Sequence, residues 1–361
     1  MKHIQMRFEF REAKPEDNSE ICEIFRIPMG GSLALSLERD PDYFAGARVQ
    51  NEKPRVFVGV DHEKHCLTGS FSVGERRVYL NGKPEWIPYF CDLRIRDEYR
   101  SGTLLARGYK FVKEEVLAGR YAQTIIVADN QEAINSLTGS RAGLPTYVPF
   151  GAYVTRAIPG NAASKMKYDA SISIRKAQMA DLGLMKSLCE EAGRQKQFYP
   201  CYDFEFSSPY FRDLSFDQYY IAYRNGSPVG MTGVWNQKSF KKTRICAYGR
   251  GLNLARPLYN AWMKLKGGIS LPEPGSILPY SYLHTVNTKN NDPQILRALV
   301  REIANDRDDA EYFLLGLDAR DRLGDAFRGL SVREFHGFHY LVDAGATLPE
   351  PSLFYLEAAR I

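Results

Sequence analysis

Residues 89–108, YFCDLRIRDEYRSGTLLARG, join an apolar run that reads as a strand to a short basic loop and an amphipathic helix. The run covers residues 89–95, and the bend at 100–103 precedes a helix beginning near Thr103. The first turn of a helix has free backbone N–H groups and carries the positive end of the helix dipole. The loop is surrounded by four arginines, Arg94, Arg96, Arg100 and Arg107. This pattern predicts a binding site for a phosphate-bearing ligand at the end of a strand, with an ordinary turn before a core helix as the alternative.

Two stretches of the chain resemble each other at a separation of 164 positions. FEFREAKPED at 8–17 and ISIRKAQMAD at 172–181 share three residues in register: Arg11 with Arg175, Ala13 with Ala177, and Asp17 with Asp181. Each stretch predicts an alternating strand, a turn and a helix capped by the aspartate. A repeat at this distance indicates two copies of one architecture.

The first copy is predicted as a mixed sheet with helices on both faces. Its strands are expected at 7–12, 55–61, 66–80, 85–95, 123–128 and 146–158, with an Asn81-Gly82 type I′ hairpin. Its helices are expected near 19–25, 33–47 and 103–118, with a short one from Asn130. In the second half we expect strands at 219–223, 280–288, 310–317 and 352–358, and helices at 182–192 and from Pro293.

Composition sets limits on the class of protein. A chain of 361 residues with 44% hydrophobic and 25% charged residues is typical of a soluble globular protein of two domains. It contains no apolar run of about 18 residues, no signal-like start and no CxxC pair, which predicts a cytoplasmic protein with reduced thiols and no membrane partner. The net charge of +5 suits a polyanionic small molecule and is too low to indicate DNA binding. The basic run at 238–244 is predicted as a solvated hairpin.

The order of these elements resembles the GNAT superfamily of N-acyltransferases, with two such domains in tandem. The resemblance is carried by FREAKPED, by the hairpin, by LRIRDEYRSGTLLARG and by ADNQEAINSLTGSRAGLP at 128–145. It implies an α/β fold with a domain at 1–158, a linker at 159–170 and a second, degenerate domain at 171–361. Each domain would be a central mixed, twisted sheet flanked by helices.

The resemblance implies that the first domain binds acetyl-coenzyme A or another acyl-coenzyme A as co-substrate, without a metal. The family's pyrophosphate loop, Arg/Gln-x-x-Gly-x-Gly/Ala, matches at Arg100, while Thr103 and Leu105 stand at its two small positions. The cofactor-binding residues carried over are Leu93, Arg94, Ile95, Arg100, Ser101, Gly102, Thr103, Leu104 and Asn130.

Acyl transfer to an amine needs a base and a donor for the tetrahedral oxyanion. In the family that donor is a backbone N–H of the fourth strand, which falls within residues 93–95 and makes Leu93 a candidate. Asp92 on the same strand is the candidate base. The alternative for Asp92 is a structural ion pair with Arg94 or Arg76.

The family's catalytic tyrosine falls on Leu137, so that acid is missing or replaced by Tyr89, Tyr99 or Tyr147. The predicted catalytic residues are therefore Asp92, Leu93 and Tyr89. The acceptor is expected to be a small-molecule or peptide amine.

The second half is predicted to be structural or to shape the substrate site, because no Arg-x-x-Gly loop follows the strand at 280–288. His284 on that strand would either contribute to an active site or belong to the core. His336 and His339 lie three residues apart on a strand, which places them on opposite faces and argues against a zinc site.

Three functions stay open from the sequence. The first is an acyl-coenzyme A-dependent N-acyltransferase with its active site in the first half. The second is a transferase that takes its group from an aminoacyl-transfer RNA, which would require a broad positive surface. The third is a non-catalytic acyl-coenzyme A or small-molecule binding protein on a decayed GNAT scaffold.

Overall fold

The computed structural model describes residues 7–29, 33–100, 104–117, 119–139, 144–343, 349 and 352–361. Its strands in chain order are β1 (Phe8–Glu12), β2 (Leu33–Glu38), β3 (Lys53–Asp61), β4 (Cys66–Leu80), β5 (Lys83–Ile95), β6 (Ala122–Val127), β7 (Tyr147–Pro159), β8 (Ile172–Lys176), β9 (Tyr199–Pro200), β10 (Tyr219–Arg224), β11 (Ser227–Trp235), β12 (Lys242–Tyr248), β13 (Tyr280–Thr288), β14 (Tyr312–Asp318) and β15 (Arg333–Val342). Its helices are α1 (Asn18–Arg26), α2 (Tyr43–Gln50), α3 (Leu104–Val112), α4 (Gln131–Leu137), α5 (Gly160–Ala163), α6 (Leu182–Gly193), α7 (Arg250–Lys266) and α8 (Pro293–Asp306). Over the ranges given, we find no helix with the length and apolar character needed to cross a membrane.

The described strands form one 13-stranded mixed sheet and a separate ribbon of β2 and β12. The order in the large sheet is β1-β3-β4-β5-β6-β15-β7-β14-β13-β11-β10-β8, with β9 paired to β4. Strand β15 of the second half lies between β6 and β7, and β7 pairs in turn with β14. The two halves therefore exchange strands at the centre of the sheet. The domain boundaries at 158 and 170 stay a prediction.

The sequence repeat is confirmed as a repeated contact. The Arg11 guanidinium donates two hydrogen bonds to the Asp17 carboxylate at 2.7 and 3.0 Å. Arg175 binds Asp181 in the same way, at 2.7 Å for both bonds. The predicted capping role is wrong, because each carboxylate accepts from the arginine and from an N–H three residues upstream, and makes no cap bond to its helix. The aspartates tie strand to turn in both halves.

The helix predicted at 33–47 is wrong in its first part. Residues 33–38 are strand β2, which pairs antiparallel with β12 some 200 positions later. Helix α2 begins only at Tyr43. Leu33, Leu35 and Leu37 alternate with smaller residues, and this period of two suits the ribbon.

Two further predictions in the second half are also corrected. Residues 352–358 form no strand, and make a single bridge between Phe354 and Gln197. The basic run at 238–244 is not a solvated hairpin, because Lys241 is buried and Arg244 donates to Glu38 at 2.6 Å across the ribbon. By contrast, the positive φ values of Asn81 and Gly82 match the predicted turn.

Candidate functional site

Strands β5 and β6 separate to form a cleft. They run parallel and share one register pair in the described ladder, Tyr89 with Gln123. Beyond that pair lies a cavity of about 270 Å³, walled by residues 90–95 of β5 and 124–127 of β6. Helices α3 and α4 close its sides with apolar side chains such as Leu104, Val112 and Leu137. The sheet thus offers a largely apolar slot with unpaired strand edges.

A β-bulge in β5 borders this cleft. Cys91 pairs with Ser72 and Arg94 with Ser70, so Asp92 and Leu93 together oppose Phe71 on β4. Asp92 has a φ of 56°, in the left-handed region. A bulge re-aims the residues that follow it and interrupts the ladder. The cleft-side backbone of residues 93–95 therefore lies where β6 no longer pairs.

The Asp92 carboxylate is held by two buried groups. The Tyr43 hydroxyl donates to it at 3.2 Å, and Ser72 lies 2.7 Å from the same hydroxyl. Arg39, which is 1% exposed, forms an ion pair with Asp92 at 3.4 Å. Burial, with the nearby Asp92 charge, holds the pKa of Tyr43 well above its usual value, so its hydroxyl stays a donor. The ion pair of Asp92 is therefore with Arg39, and not with Arg94 or Arg76.

The remaining predicted residues of β5 are cleft residues. Leu93, Arg94 and Ile95 all line the cavity. Burial lowers the pKa of Arg94, whose guanidinium lies 5.5 Å from the Phe25 ring. In the part of the chain that the structure describes, no carboxylate lies within ion-pair distance of Arg94, although the charge of nearby Asp92 partly offsets the effect of burial on its pKa.

The loop before α3 is described only at its ends. Arg100 is half exposed, pairs with Asp97 at 3.1 Å and Glu132 at 3.3 Å, and donates to the Ile95 carbonyl at 3.3 Å. Leu104 lines the cleft. The predicted cofactor residues Ser101, Gly102 and Thr103 lie outside the described residues.

Asn130 borders the cleft and begins helix α4. Its Oδ1 accepts from the Ala133 N–H at 3.1 Å, which caps the helix as the short helix predicted from this position requires. Its cavity position is consistent with the cofactor role that the sequence predicts, which stays a prediction.

The three candidate tyrosines lie in different places. Tyr89 is buried beneath the Arg76 guanidinium, 3.4 Å from its ring centre, and is not among the residues that line the cleft. Tyr99 donates to Asp61 at 3.0 Å, also away from the cleft lining. Tyr147 lines the cleft and hydrogen-bonds with Tyr109.

The second half repeats the bulge. Met231 pairs with Asn287 and Gly233 with His284. Two residues of β13, Thr285 and Val286, therefore lie opposite the single residue Thr232 of β11. Thr285 has a φ of 52°, nearly the value of Asp92. Strands β13 and β14 are parallel and share three register pairs. This is the geometry of β5 and β6 in a second copy.

A carboxylate occupies the second bulge. The Glu357 side chain accepts from the Thr285 N–H at 2.8 Å, and from the hydroxyls of Tyr202 and Tyr355 at 3.3 and 3.2 Å. Burial raises the pKa of Glu357 to about 7. His284 is fully buried, lies 2.9 Å from the Thr285 hydroxyl, and has its pKa lowered by burial. His284 is therefore a neutral core residue.

Comparison with solved structures identifies the fold. No family model matches the chain, and no curated protein matches it in sequence. N-myristoyltransferase of Saccharomyces cerevisiae with bound myristoyl-CoA is similar at a TM-score of 0.58 and 11% identity, over 95% of this chain and 84% of that one. A GCN5-related N-acetyltransferase from Sphaerobacter thermophilus is similar at 0.56 and 12%, over 96% and 99%.

A tandem GNAT protein from the clavulanic acid biosynthesis pathway is similar at a TM-score of 0.54 and 8% identity, over 94% of this chain and 100% of that one. The fold is therefore the α/β fold of the GNAT acyltransferases, in the tandem form. The resemblance seen in the sequence is confirmed at the level of the fold.

Proposed function

We propose that the protein is an acyl-coenzyme A-dependent N-acyltransferase whose active site is the cleft between β5 and β6. The observation that carries this proposal is the bulge at Asp92, which opens on a cavity, whereas its counterpart at Thr285 is bonded to Glu357. The solved neighbours are N-acetyltransferases and an N-myristoyltransferase with its acyl-CoA, which supports the same chemistry. The acyl group would be acetyl or longer, and the acceptor a small-molecule or peptide amine.

The residues of the cleft suit the parts of an acyl-coenzyme A. An apolar slot between strand edges accepts the thioester arm, whose amide groups need backbone partners. Arg94, which has no carboxylate within ion-pair distance in the described residues, supplies positive charge for the phosphates, and Arg100 does so by giving up its exposed pairs with Asp97 and Glu132. Asn130 borders the same slot.

Asp92 is the proposed base. An alkyl amine has a pKa near 10.4 and must lose a proton before it attacks the thioester carbonyl. The Asp92 carboxylate, held by Tyr43 and Arg39, accepts that proton directly or through water. The base is thereby fixed in place beside the bulge.

The tetrahedral oxyanion is stabilised in this proposal by a backbone N–H of residues 93–95, an interaction worth roughly 3–4 kcal/mol. The thiolate then leaves and is protonated. We assign to Tyr147, rather than Tyr89, a hydrogen bond to the departing sulfur, because Tyr147 lines the cleft. Burial raises the pKa of Tyr147, so its hydroxyl is a weaker acid than the thiol, whose pKa is about 8.5, and the thiolate takes its proton from water.

The proposal is tested by thermal unfolding with acetyl-CoA and with myristoyl-CoA. A ligand at about 100 times its dissociation constant adds roughly 2.7 kcal/mol to the free energy of unfolding. Arg100→Ala should lose most of that stabilisation. Arg328→Ala is the matched control, because each arginine follows a 3₁₀ helix, at 97–99 and 322–327, and pairs with an aspartate three residues earlier, at 3.1 and 3.0 Å.

The second measurement is release of free thiol with a panel of amines. Absence of stabilisation by both acyl-CoAs would overturn the proposal. Stabilisation without thiol release for any amine would favour the non-catalytic binding protein. A salt-sensitive complex with transfer RNA, without acyl-CoA binding, would favour the aminoacyl transferase.

A further inference from the structure

Helix α7 carries an apolar face that the rest of the described chain leaves uncovered. Leu254, Leu258 and Leu265 are 83, 79 and 87% exposed, and Trp262 is 52% exposed. At 100° per residue these four side chains fall within an arc of about 80° on the helix. Single exposed apolar residues are ordinary on protein surfaces, whereas a contiguous apolar strip marks an interaction site.

The opposite face of α7 is firmly attached to the protein. Met263 is buried, and Tyr259 packs against the cluster around Ile245 and accepts a hydrogen bond from Arg333. The Asn260 side chain makes two hydrogen bonds to the Leu271 backbone, at 2.9 and 2.7 Å. The outward face is therefore presented by a fixed helix that is apolar on both sides.

The charges of α7 have one sign. The helix carries four cations, Arg250, Arg256, Lys264 and Lys266, and no acidic residue. Arg256 pairs with Glu273 at 3.6 Å, while the other three form no ion pair in the described residues. By helical angle, Lys264 and Lys266 lie on either side of the apolar strip.

We propose that α7 docks the protein on an anionic lipid surface, with the leucine strip in the acyl boundary and the lysines at the phosphates. Interfacial helices combine a strongly apolar face that contains Trp or Leu with lysines and arginines beside it. The helix has 17 residues and lies along the protein, so it would lie in the plane of the bilayer. Against a second copy, pairing two such faces would bring cations together with no acid on the helix to offset them.

This proposal departs from the sequence-based expectation of no membrane partner. That expectation considered only segments long enough to span a bilayer, and it missed α7. The docking site is independent of the proposed acyltransferase site, because none of the α7 residues lines the cleft.

The test is co-sedimentation of the full chain with vesicles. Phosphatidylcholine vesicles are compared with vesicles of phosphatidylcholine and phosphatidylglycerol in equal parts. We expect binding to the anionic vesicles, with a blue shift of tryptophan emission that Trp262→Phe abolishes. The triple variant Leu254→Gln, Leu258→Gln, Leu265→Gln should lose binding at least about tenfold, because the apolar insertion is gone.

The electrostatic part is tested by the double variant Lys264→Gln, Lys266→Gln. A lysine near an anionic surface contributes roughly a fivefold gain in binding, so two should contribute roughly 25-fold. The control is Lys165→Gln, Lys167→Gln, which removes two exposed lysines at the same spacing and should change nothing. Melting temperatures without vesicles should match the wild type for all these variants, since the altered side chains are exposed.

Three outcomes would overturn the proposal: no binding to anionic vesicles, equal binding to neutral ones, or loss of binding in the lysine control. A fourth is a wild-type dimer in sedimentation velocity that the triple leucine variant converts to a monomer, without vesicle binding. That result would assign the leucine strip to a second copy of the chain.

Discussion

The bulges at Asp92 and Thr285 have nearly the same backbone and opposite surroundings. Each has a φ near 55°, each lies opposite one residue of the antiparallel neighbour strand, and each comes three residues after the last register pair of two parallel strands. At Asp92 the strands part over a cavity. At Thr285 the bulge N–H donates to Glu357 among buried tyrosines. The same backbone geometry therefore borders a candidate site in the first half and a filled core in the second half.

The difference lies in what fills the opening. In the second half, Tyr355 and Glu357 come from the last described segment, and their side chains satisfy the polar groups that the bulge exposes. In the first half the corresponding backbone borders the cavity instead. A bulge by itself therefore does not predict a catalytic site. Whether side chains of the same protein fill the space beside the bulge is what distinguishes the two halves.

The largest expected effect separates the two carboxylates by activity. Asp92→Asn keeps the shape of the side chain and removes the proposed base. We expect kcat to fall by roughly 10²- to 10³-fold, in the range typical of a lost general base. Steady-state thiol release, with the acyl-CoA dissociation constant as a second readout, measures it.

Glu357→Gln is the matched change in the other half and should leave kcat within about twofold of the wild type. Equal losses of kcat in Asp92→Asn and Glu357→Gln would erase the proposed contrast between the bulges.

The next effect concerns pH and the free energy of unfolding. Burial raises the pKa of Glu357 from 4.5 to about 7, so the folded state favours the protonated carboxyl. The stability this provides is present below pH 4.5 and is lost as the pH rises to about 7. The linkage amounts to roughly 3 kcal/mol, and Glu357→Gln should lack it.

Urea unfolding at several pH values between 4 and 8 measures this slope. Burial lowers the pKa of Lys241 to about 7, so its titration changes the free energy of unfolding mainly above pH 8. This contribution is the same in the wild type and in Glu357→Gln. Glu205→Gln, at an exposed site, is the control and should keep the wild-type slope. A wild-type slope in Glu357→Gln would mean that the carboxyl is not held as described.

A third comparison uses two glycines at matching places. A Cβ on Gly69 would lie 2.3 Å from the Arg94 carbonyl oxygen, and one on Gly230 would lie 2.7 Å from that of Asn287. Each alanine variant should lose about 2 kcal/mol, because the strand after the bulge must shift. Gly69→Ala should also weaken acyl-CoA binding, whereas Gly230→Ala should not.

Denaturant unfolding and calorimetric titration with acyl-CoA provide the two readouts. Gly183→Ala in helix α6 is the control, since no atom beyond its chain neighbours and the adjacent helix backbone lies within 4 Å of its added Cβ. If Gly230→Ala folds fully but binds acyl-CoA more weakly than the wild type, the bulge at Thr285 is coupled to the proposed cleft at Asp92, contrary to this prediction.

The smallest expected effect concerns the arginine–aspartate pair that both halves share. The bond from Arg11 lowers the pKa of Asp17, and Arg175 does the same for Asp181. Each pair stabilises the fold above pH 4 and stops doing so as the pH falls through the lowered pKa. Asp17→Asn and Asp181→Asn should each cost about 1 kcal/mol at neutral pH, because the pairs are partly exposed. If urea unfolding gave unequal losses for the two variants, the two pairs would share their geometry but not their contribution to the free energy of unfolding.

Local patterns were enough to predict most strands. The residues of β4 and β13 were predicted to the residue, because each is an apolar or alternating run bounded by turn residues. Strand β2 was missed because its partner β12 is distant in the chain. Helix α7 was missed because apolar residues on both faces blur its period, and Pro257 lies inside it.

The site was predictable only in part. The β5 residues follow from the strand and loop pattern, and the structure places most of them at one cleft. Arg39 and Tyr43 could not be found, because their contact with Asp92 depends on how α2 packs against the bulge. The position of Glu357 likewise depends on a chain segment that returns from far away.

Because β15 lies between β6 and β7, the central sheet can be completed only after most of the second half has been synthesised. On the ribosome, β6 emerges long before its neighbour, since more than 200 residues separate Val127 from Arg333. Until then β6 and β7 both present open edges, which are sites of wrong pairing and aggregation. The sheet that carries the candidate active site of the first half is therefore incomplete until β15 has been synthesised. For most of translation the nascent chain contains this incomplete sheet.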